Sequence, residues 1–286
     1  MKTRRRSKGI ACAIACALLL AACTRDHAAA ARKKIRVDHA PRVAKIVVED
    51  LQRHARGLQH AADRIAAGYV KVTGEQQEHE IRQVLKLLRS PKKGVPELVI
   101  SPLSFIAAVG KDGVVIARDV EPDKMKGMNL AKQFPSVQAA LGGKEGYEVG
   151  EFESLEKGGE PSVTIVMAAP SRYHGEVVGA LVLGIPLWRL QQRLSKQLQM
   201  EEAGKTKGAV VWVYIYRGDT LHHHGTPQAL DLIVPDAKAR KAGYAKSPGG
   251  YTGEVSQYAY WYGYGVRPLR VLGDDIGMVI FRMDPQ

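Results

Sequence analysis

Beyond residue 23 this 286-residue chain has no cysteine. Cys12, Cys16 and Cys23 all sit at the N-terminus, so the rest of the chain can form neither an internal disulfide nor a thiolate metal site. Long apolar runs are missing as well. Gly9 to Ala22 is ~14 residues, short of the ~20 a spanning helix needs, and the next longest run, Val177 to Leu187, is broken by Gly179, Gly184 and Pro186. There is no Gly-x-Ser-x-Gly nucleophile elbow. Gly204-Lys205-Thr206 ends like a phosphate loop, but Gln199 stands where the first glycine is required. Asp274-Asp275 and Glu201-Glu202 read as turn and helix-surface acids. No enzyme activity, catalytic residue or cofactor is therefore expected.

Acidic charge is scarce in one region only. Of the formal net charge of +13, residues 1–22 carry Lys2, Arg4, Arg5, Arg6 and Lys8. Residues 23–93 hold 16 Lys or Arg against 8 Asp or Glu, and residues 94–286 hold 21 of each sign. The basic excess thus lies near the N-terminus, in Arg32, Lys33, Lys34, Arg36 and the segment that follows. Such a location suits an anionic membrane surface or a solvated helix face; with no recognition motif beside it, nucleic acid is not an expected partner.

Periodicity divides the remainder. Residues 23–39 read as a tether, open to partial helix. Val43, Ile46, Val47, Leu51, Leu58, Ala62, Ile65 and Ala66 follow a helical period, and Ile81, Val84, Leu85 and Leu88 make a second stripe, giving a helical segment over 40–93. After Pro96 the texture changes to short runs rich in Val, Ile and Tyr between glycine turns, which predicts sheet. Hairpins are expected at 105–117 and 210–224, helices at 187–199 and around 236–242, and strands near 148–155, 162–169, 177–185, 253–264 and 277–281. Pro170, Gly175, Glu176, Val178 and Gly179 match Pro268, Gly273, Asp274, Ile276 and Gly277 at the same offsets, so the second part repeats the first. The expected fold class is α+β: a long amphipathic N-terminal helix, then two PAS-like modules, 94–200 and 201–286, each an antiparallel sheet with short helices.

Two resemblances add to this reading. Leu20-Ala21-Ala22-Cys23, closing a short apolar run after a basic start, resembles the lipobox of bacterial lipoproteins. It implies that 1–22 is a removed signal peptide and that Cys23 carries acyl chains into membrane lipid. The hairpin Ala108 to Ala117, the stretch Met128-Asn129-Leu130 to Lys144 and the run Ala168 to Gly184 resemble the double Cache domain, an extracytoplasmic sensor fold. That resemblance implies a small organic ligand, usually held in the membrane-distal module between the sheet and the helical segment after the hairpin. The amino-acid-binding subset has an Arg followed by a Trp-Tyr pair, where this chain has Lys132-Gln133-Phe134-Pro135. Typical members also continue into a second membrane helix and an output domain. This chain stops at Gln286, so action through a membrane or periplasmic protein partner is expected.

Candidate ligand-binding residues are Arg118, Asp119, Met128, Phe134 and Tyr173 in the first module and Tyr251, Tyr260 and Tyr262 in the second. Arg118 suits a bidentate grip on a carboxylate. Alternation places Tyr258, Tyr260, Tyr262 and Tyr264 on one strand face and Trp261 on the other, either lining a site or forming core. His222 and His224 share a strand face and are the metal candidates, with His174 as a conceivable third ligand; a polar hairpin strand is the competing reading. The expected function is a lipid-anchored sensor facing the periplasm, with an envelope-structural or protein-interaction lipoprotein as the alternative.

Overall fold

The computed structural model describes residues 26–102, 104–153 and 161–285. Cys23 and the signal segment lie outside the described residues. The chain divides into two units, one of residues 45–190 with 271–273 and one of residues 26–44, 191–270 and 274–285.

In the first unit, β1 (Phe105–Gly110), β2 (Val115–Arg118), β3 (Gly146–Phe152), β4 (Ser162–Tyr173) and β5 (Glu176–Pro186) form an antiparallel sheet in the order β2-β1-β5-β4-β3. The central strands are buried on both faces, which is why they read as continuous apolar runs rather than as an alternation. One face carries Phe105, Ala107, Val109, Val166, Ala168 and Val182. It is covered by a short helix, Leu130–Gln133, and by α3 (Pro135–Leu141), through Leu130, Phe134, Val137 and Ala140. Asn129 caps the former by accepting from the Lys132 N–H at 3.0 Å, and Pro135 opens the latter where a missing N–H costs nothing. Two longer helices precede the sheet: α1 (Ala40–Ile65), whose stripe Val43, Val47, Leu51, Leu58, Ala62 and Ile65 is buried, and α2 (Gly74–Leu88), with Ile81, Leu85 and Leu88 buried.

In the second unit, β6 (Val210–Arg217), β7 (Thr220–His222), β8 (Tyr251–Gln257), β9 (Tyr260–Pro268) and β10 (Ile276–Met283) make a second antiparallel sheet, ordered β7-β6-β10-β9-β8. Numbered from its own first strand, this order is the same as in the first unit. α4 (Leu187–Ala203) sends Gln191 and Gln199 amides to the Val213 and Val211 carbonyls at 2.7 and 3.0 Å. The other face is covered by Gln228–Asp231 and by α5 (Ala237–Lys246), which Asp236 caps by accepting from the Ala239 N–H at 2.7 Å.

The repeat has a packing cause beyond turn chemistry. A Cβ on Gly179 would lie 2.6 Å from the Val109 carbonyl and collide with the Tyr69 ring. The equivalent Gly277 would meet the Arg267 carbonyl at 2.8 Å and the Tyr216 ring. In both sheets the same glycine makes room for a tyrosine.

Two expectations change. Residues 26–34, read as a tether open to partial helix, are helical and continue through a π-helical turn, Ile35–His39, into α1. Ala28, Ala31 and Ile35 are buried against β9, where a Cβ on Gly263 would collide with the Arg32 backbone nitrogen and lie 2.8 Å from the Ala28 carbonyl oxygen. The alternation expected over 253–264 is interrupted, because Tyr258 and Ala259 form the β8–β9 turn with φ of 50 and 64°. Both central residues of a type I′ hairpin turn need positive φ. Tyr258 therefore stands exposed at the tip rather than on the tyrosine face.

Candidate functional site

The face of the second sheet under α5 gathers the aromatic residues. Trp212, Tyr214 and Tyr216 come from β6, Tyr251 from β8, Tyr262 and Tyr264 from β9, and Phe281 from β10. Their spacing of two residues puts them on one side, and register aligns them: Phe281 sits opposite both Trp212 and Tyr264, and Val279 opposite Tyr214 and Val266. Rings meet edge to face, Tyr214 with Phe281 at 5.8 Å, Tyr244 with Tyr251 at 5.9 Å and Tyr251 with Tyr264 at 6.4 Å.

The hydroxyls decide what this face can do. Tyr214 donates to the Pro227 carbonyl at 3.2 Å, and Tyr216 and Tyr244 bond each other. Arg240, itself buried, lies over the Tyr216 ring at 4.0 Å from its centroid and donates to the Pro235 carbonyl. Tyr251 Oη, by contrast, is buried and has no hydrogen-bond partner. Burial, reinforced by the neighbouring Tyr264 and Tyr216, pushes its pKa up to about 12, so it is a neutral donor at any physiological pH. At the other end of the face His223 Nε2 meets Asp231 Oδ2 at 3.2 Å, with Thr226 on Nδ1, while Asp231 Oδ1 is buried without a hydrogen bond. Burial raises the Tyr214 hydroxyl as well, and nearby Asp231 adds to that rise. The result is a ring-lined core layer in which Tyr251 Oη and Asp231 Oδ1 are buried without hydrogen-bond partners.

The residues expected from sequence distribute unevenly. Tyr251 and Tyr262 join this face, and Tyr260, half exposed, lies at the start of β9 beyond it. In the first unit Asp119 is buried and committed: it accepts from Arg89 at 2.5 Å and from the Ile106 N–H at 3.1 Å. Arg118 ends β2, its own N–H donating to Asp123 at 2.9 Å. Phe134 is core, stacked on Phe152 at 5.7 Å, and Met128 packs beside it. Tyr173 lies at the β4–β5 turn, edge-on to His174 at 4.3 Å. Arg118 Nε is buried without a hydrogen-bond partner. His222 ends β7 and His224 lies past it, its backbone N–H donating to Gln191 at 2.9 Å, so the two do not share a strand face.

Among the described residues, three potential metal ligands approach one another at Asp38, His39 and Glu202. A cation already fills that place. The buried Arg282 guanidinium donates to Glu202 at 2.5 Å and to His39 Nε2 at 2.8 Å. Because guanidinium only donates, His39 Nε2 is a lone-pair acceptor and the ring is neutral. Burial, with Arg282 beside it, lowers the His39 pKa to about 4. Burial alone would raise Glu202, but its bond to Arg282 outweighs that and holds it below the usual carboxylate range. This network is structural, and sequence reasoning missed it although a lone Arg in the apolar strand Ile280-Phe281-Arg282-Met283 is a visible signal.

No protein-family profile matches this sequence, and no curated protein is significantly similar to it. Solved structures are similar in fold. The sensor domain of the V. cholerae histidine kinase DctB is 14% identical with a TM-score of 0.52, over 93% of this chain and 98% of that one. The ligand-binding domain of the Campylobacter jejuni chemoreceptor Tlp3, in complex with 4-methylisoleucine, is 12% identical with a TM-score of 0.55, over 90% and 91%. The same receptor's sensory domain with isoleucine bound is 10% identical with a TM-score of 0.54, over 93% and 96%. No helix among the described residues is long and apolar enough to cross a membrane. The fold of this chain, a long helix and two antiparallel five-stranded modules, is therefore shared with the sensor domain of a histidine kinase and the ligand-binding domain of a chemoreceptor.

Proposed function

We propose that the protein is an extracytoplasmic, lipid-anchored sensor body that binds a small organic ligand on the tyrosine face of its second module. The observation carrying the ligand reading is the pair of buried, unpartnered polar atoms, Tyr251 Oη and Asp231 Oδ1, in an aromatic core layer. A buried polar group without a partner costs roughly 1 to 3 kcal/mol, and a ligand supplying an acceptor to Tyr251 or a donor to Asp231 recovers that cost. The fold supports the sensor part of the reading. The organic molecules named with Tlp3 make amino acids and their analogues a first class to screen, with carboxylates and amines beside them.

The anchoring part rests on Leu20-Ala21-Ala22-Cys23, which makes 1–22 a signal peptide; a segment at 23–39, a helical region to 93 and modules at 94–200 and 201–286 follow it. Acyl chains hold a protein at a bilayer but transmit no conformational change through it. The signal then passes to a protein partner on the same side of the membrane. A partner-binding role without a ligand is favoured by one observation, the exposure of Tyr258 and Tyr260 at the β8–β9 tip.

Thermal-shift screening of the full chain in detergent against an amino-acid, carboxylate and amine library tests the ligand reading. At least one class is expected to raise Tm in the parent and not in Tyr251→Phe. No shift with any class sinks it. Cys23→Ser tests the anchor separately: the protein should leave the membrane fraction and lose its acyl mass.

A further inference from the structure

The segment from 26 to 39 builds a second site on the opposite face of the second sheet. Ala28, Ala31 and Ile35 bury one side of this helix on β9, so its flank is left facing β8. Between that flank and Thr252 lies a cavity of about 480 Å³ lined by Arg32, Lys33 and Arg36. A second cavity of about 250 Å³ shares Arg36 and Thr252 as walls and ends at Arg267. The two form one groove, in the size range of small-ligand sites. Four cations face it. Arg32 is 3.3 Å from Glu254, whereas Lys33, Arg36 and Arg267 have no carboxylate within 4.0 Å among the described residues. Arg32, Lys33 and Arg36 are solvent-exposed and Arg267 partly so, and like charges gathered beside a cavity raise the local potential that draws an anion.

We propose that this groove binds a phosphate-bearing anion. Phosphate fits better than a carboxylate: it carries up to two charges and three oxygens, and guanidinium groups take it by paired donors while Lys33 supplies a point charge and Thr252 a hydroxyl. The anion has two sources, a lipid headgroup or a free phosphate compound. Arg32, Lys33 and Arg36 follow Cys23 by nine to thirteen residues, which puts the headgroup within reach if that cysteine is acylated. Tyr251 also stands in the wall of the second cavity, but the cations that hold the anion are none of the tyrosine-face residues.

The test uses the full chain in nonionic detergent and calorimetric titration with three probes: short-chain phosphatidylglycerol, short-chain phosphatidylcholine and inorganic pyrophosphate. A groove variant, Lys33→Gln with Arg36→Gln and Arg267→Gln, is compared with a charge control, Lys238→Gln with Lys241→Gln and Lys246→Gln, on exposed positions of α5. The parent should bind phosphatidylglycerol or pyrophosphate, and the groove variant should lose at least about tenfold in affinity while the control keeps it. Binding of phosphatidylglycerol alone assigns the headgroup as source, and equal binding of pyrophosphate assigns a soluble anion. Absence of binding by either anion overturns the proposal, as does an equal loss in both variants, which means net charge only. An unchanged Tm in the groove variant separates lost binding from lost folding.

Discussion

The two sheets share a strand order and a conserved glycine geometry, yet opposite chemistries cover their helix-facing sides. The first meets its helices with Phe105, Phe134, Phe152, Met125 and small aliphatics, its buried hydroxyls being the small ones of Thr164 on β4 and Ser136 on α3. The second meets them with Tyr214, Tyr216, Tyr244, Tyr251, Tyr262 and Tyr264. A ring of nearly the same shape fills the same layer in each, but the added hydroxyls must be satisfied. Tyr214, Tyr216 and Tyr244 find protein partners and Tyr251 does not. One backbone plan thus gives a core of phenylalanine and aliphatic side chains in the first module and a tyrosine-rich core in the second.

The largest effect that tests this contrast is Phe134→Ala. If the first module is a filled core, this truncation leaves a void beside Phe152 and costs about 3 to 5 kcal/mol. Hydrogen exchange of β1 and β5 peptides reads that module by itself; a cost under about 1 kcal/mol means the site is not tightly packed.

Next in size is an acid response confined to the second unit. Unfolded, His39 takes a proton near its ordinary value; folded, its pKa is lowered to about 4. Its contribution is complete above pH 6.5 and is lost as pH falls from there toward 4, worth roughly 3 kcal/mol for a fully buried ring. Denaturation midpoints across that window should show the slope in the parent. His39→Gln keeps an acceptor for Arg282 and should flatten it.

Smaller again is the shared glycine. Gly179→Ala and Gly277→Ala should each cost about 1 to 3 kcal/mol, because carbonyl oxygens at 2.6 and 2.8 Å leave no room for the added methyl. Comparable losses, measured by exchange in each sheet, sharpen the equivalence of the modules. A neutral result at one of them breaks it.

The parts of this fold that sequence discloses are those with a local signature. β1, β4 and β5 announce themselves as apolar runs, and Gly113 in the Asp112-Gly113 turn marks the first hairpin. The β8–β9 turn leaves no such mark, since Tyr258-Ala259 contains none of the residues that adopt positive φ readily. Residues 26–39 look like a linker because their burial depends on Gly263 and Gly265, more than two hundred residues away. The candidate site follows the same division. Tyr251 and Tyr262 are legible from the tyrosine pattern near the C-terminus. Tyr214, Tyr244 and Asp231 join them only through strand order and helix placement, and no spacing in the sequence reports that. In the first module the hairpin-end pair Arg118-Asp119 looks ligand-ready, but Arg89 on a distant segment already engages Asp119.

The central claim is that the second module keeps a polar group in reserve for a ligand, and Tyr251→Phe isolates one oxygen atom to test it. Removing a buried hydroxyl that has no partner should leave the unliganded protein as stable as the parent, or up to about 1 kcal/mol more so, while abolishing the ligand-induced rise in Tm. A clear loss of unliganded stability together with an undiminished ligand response would contradict it.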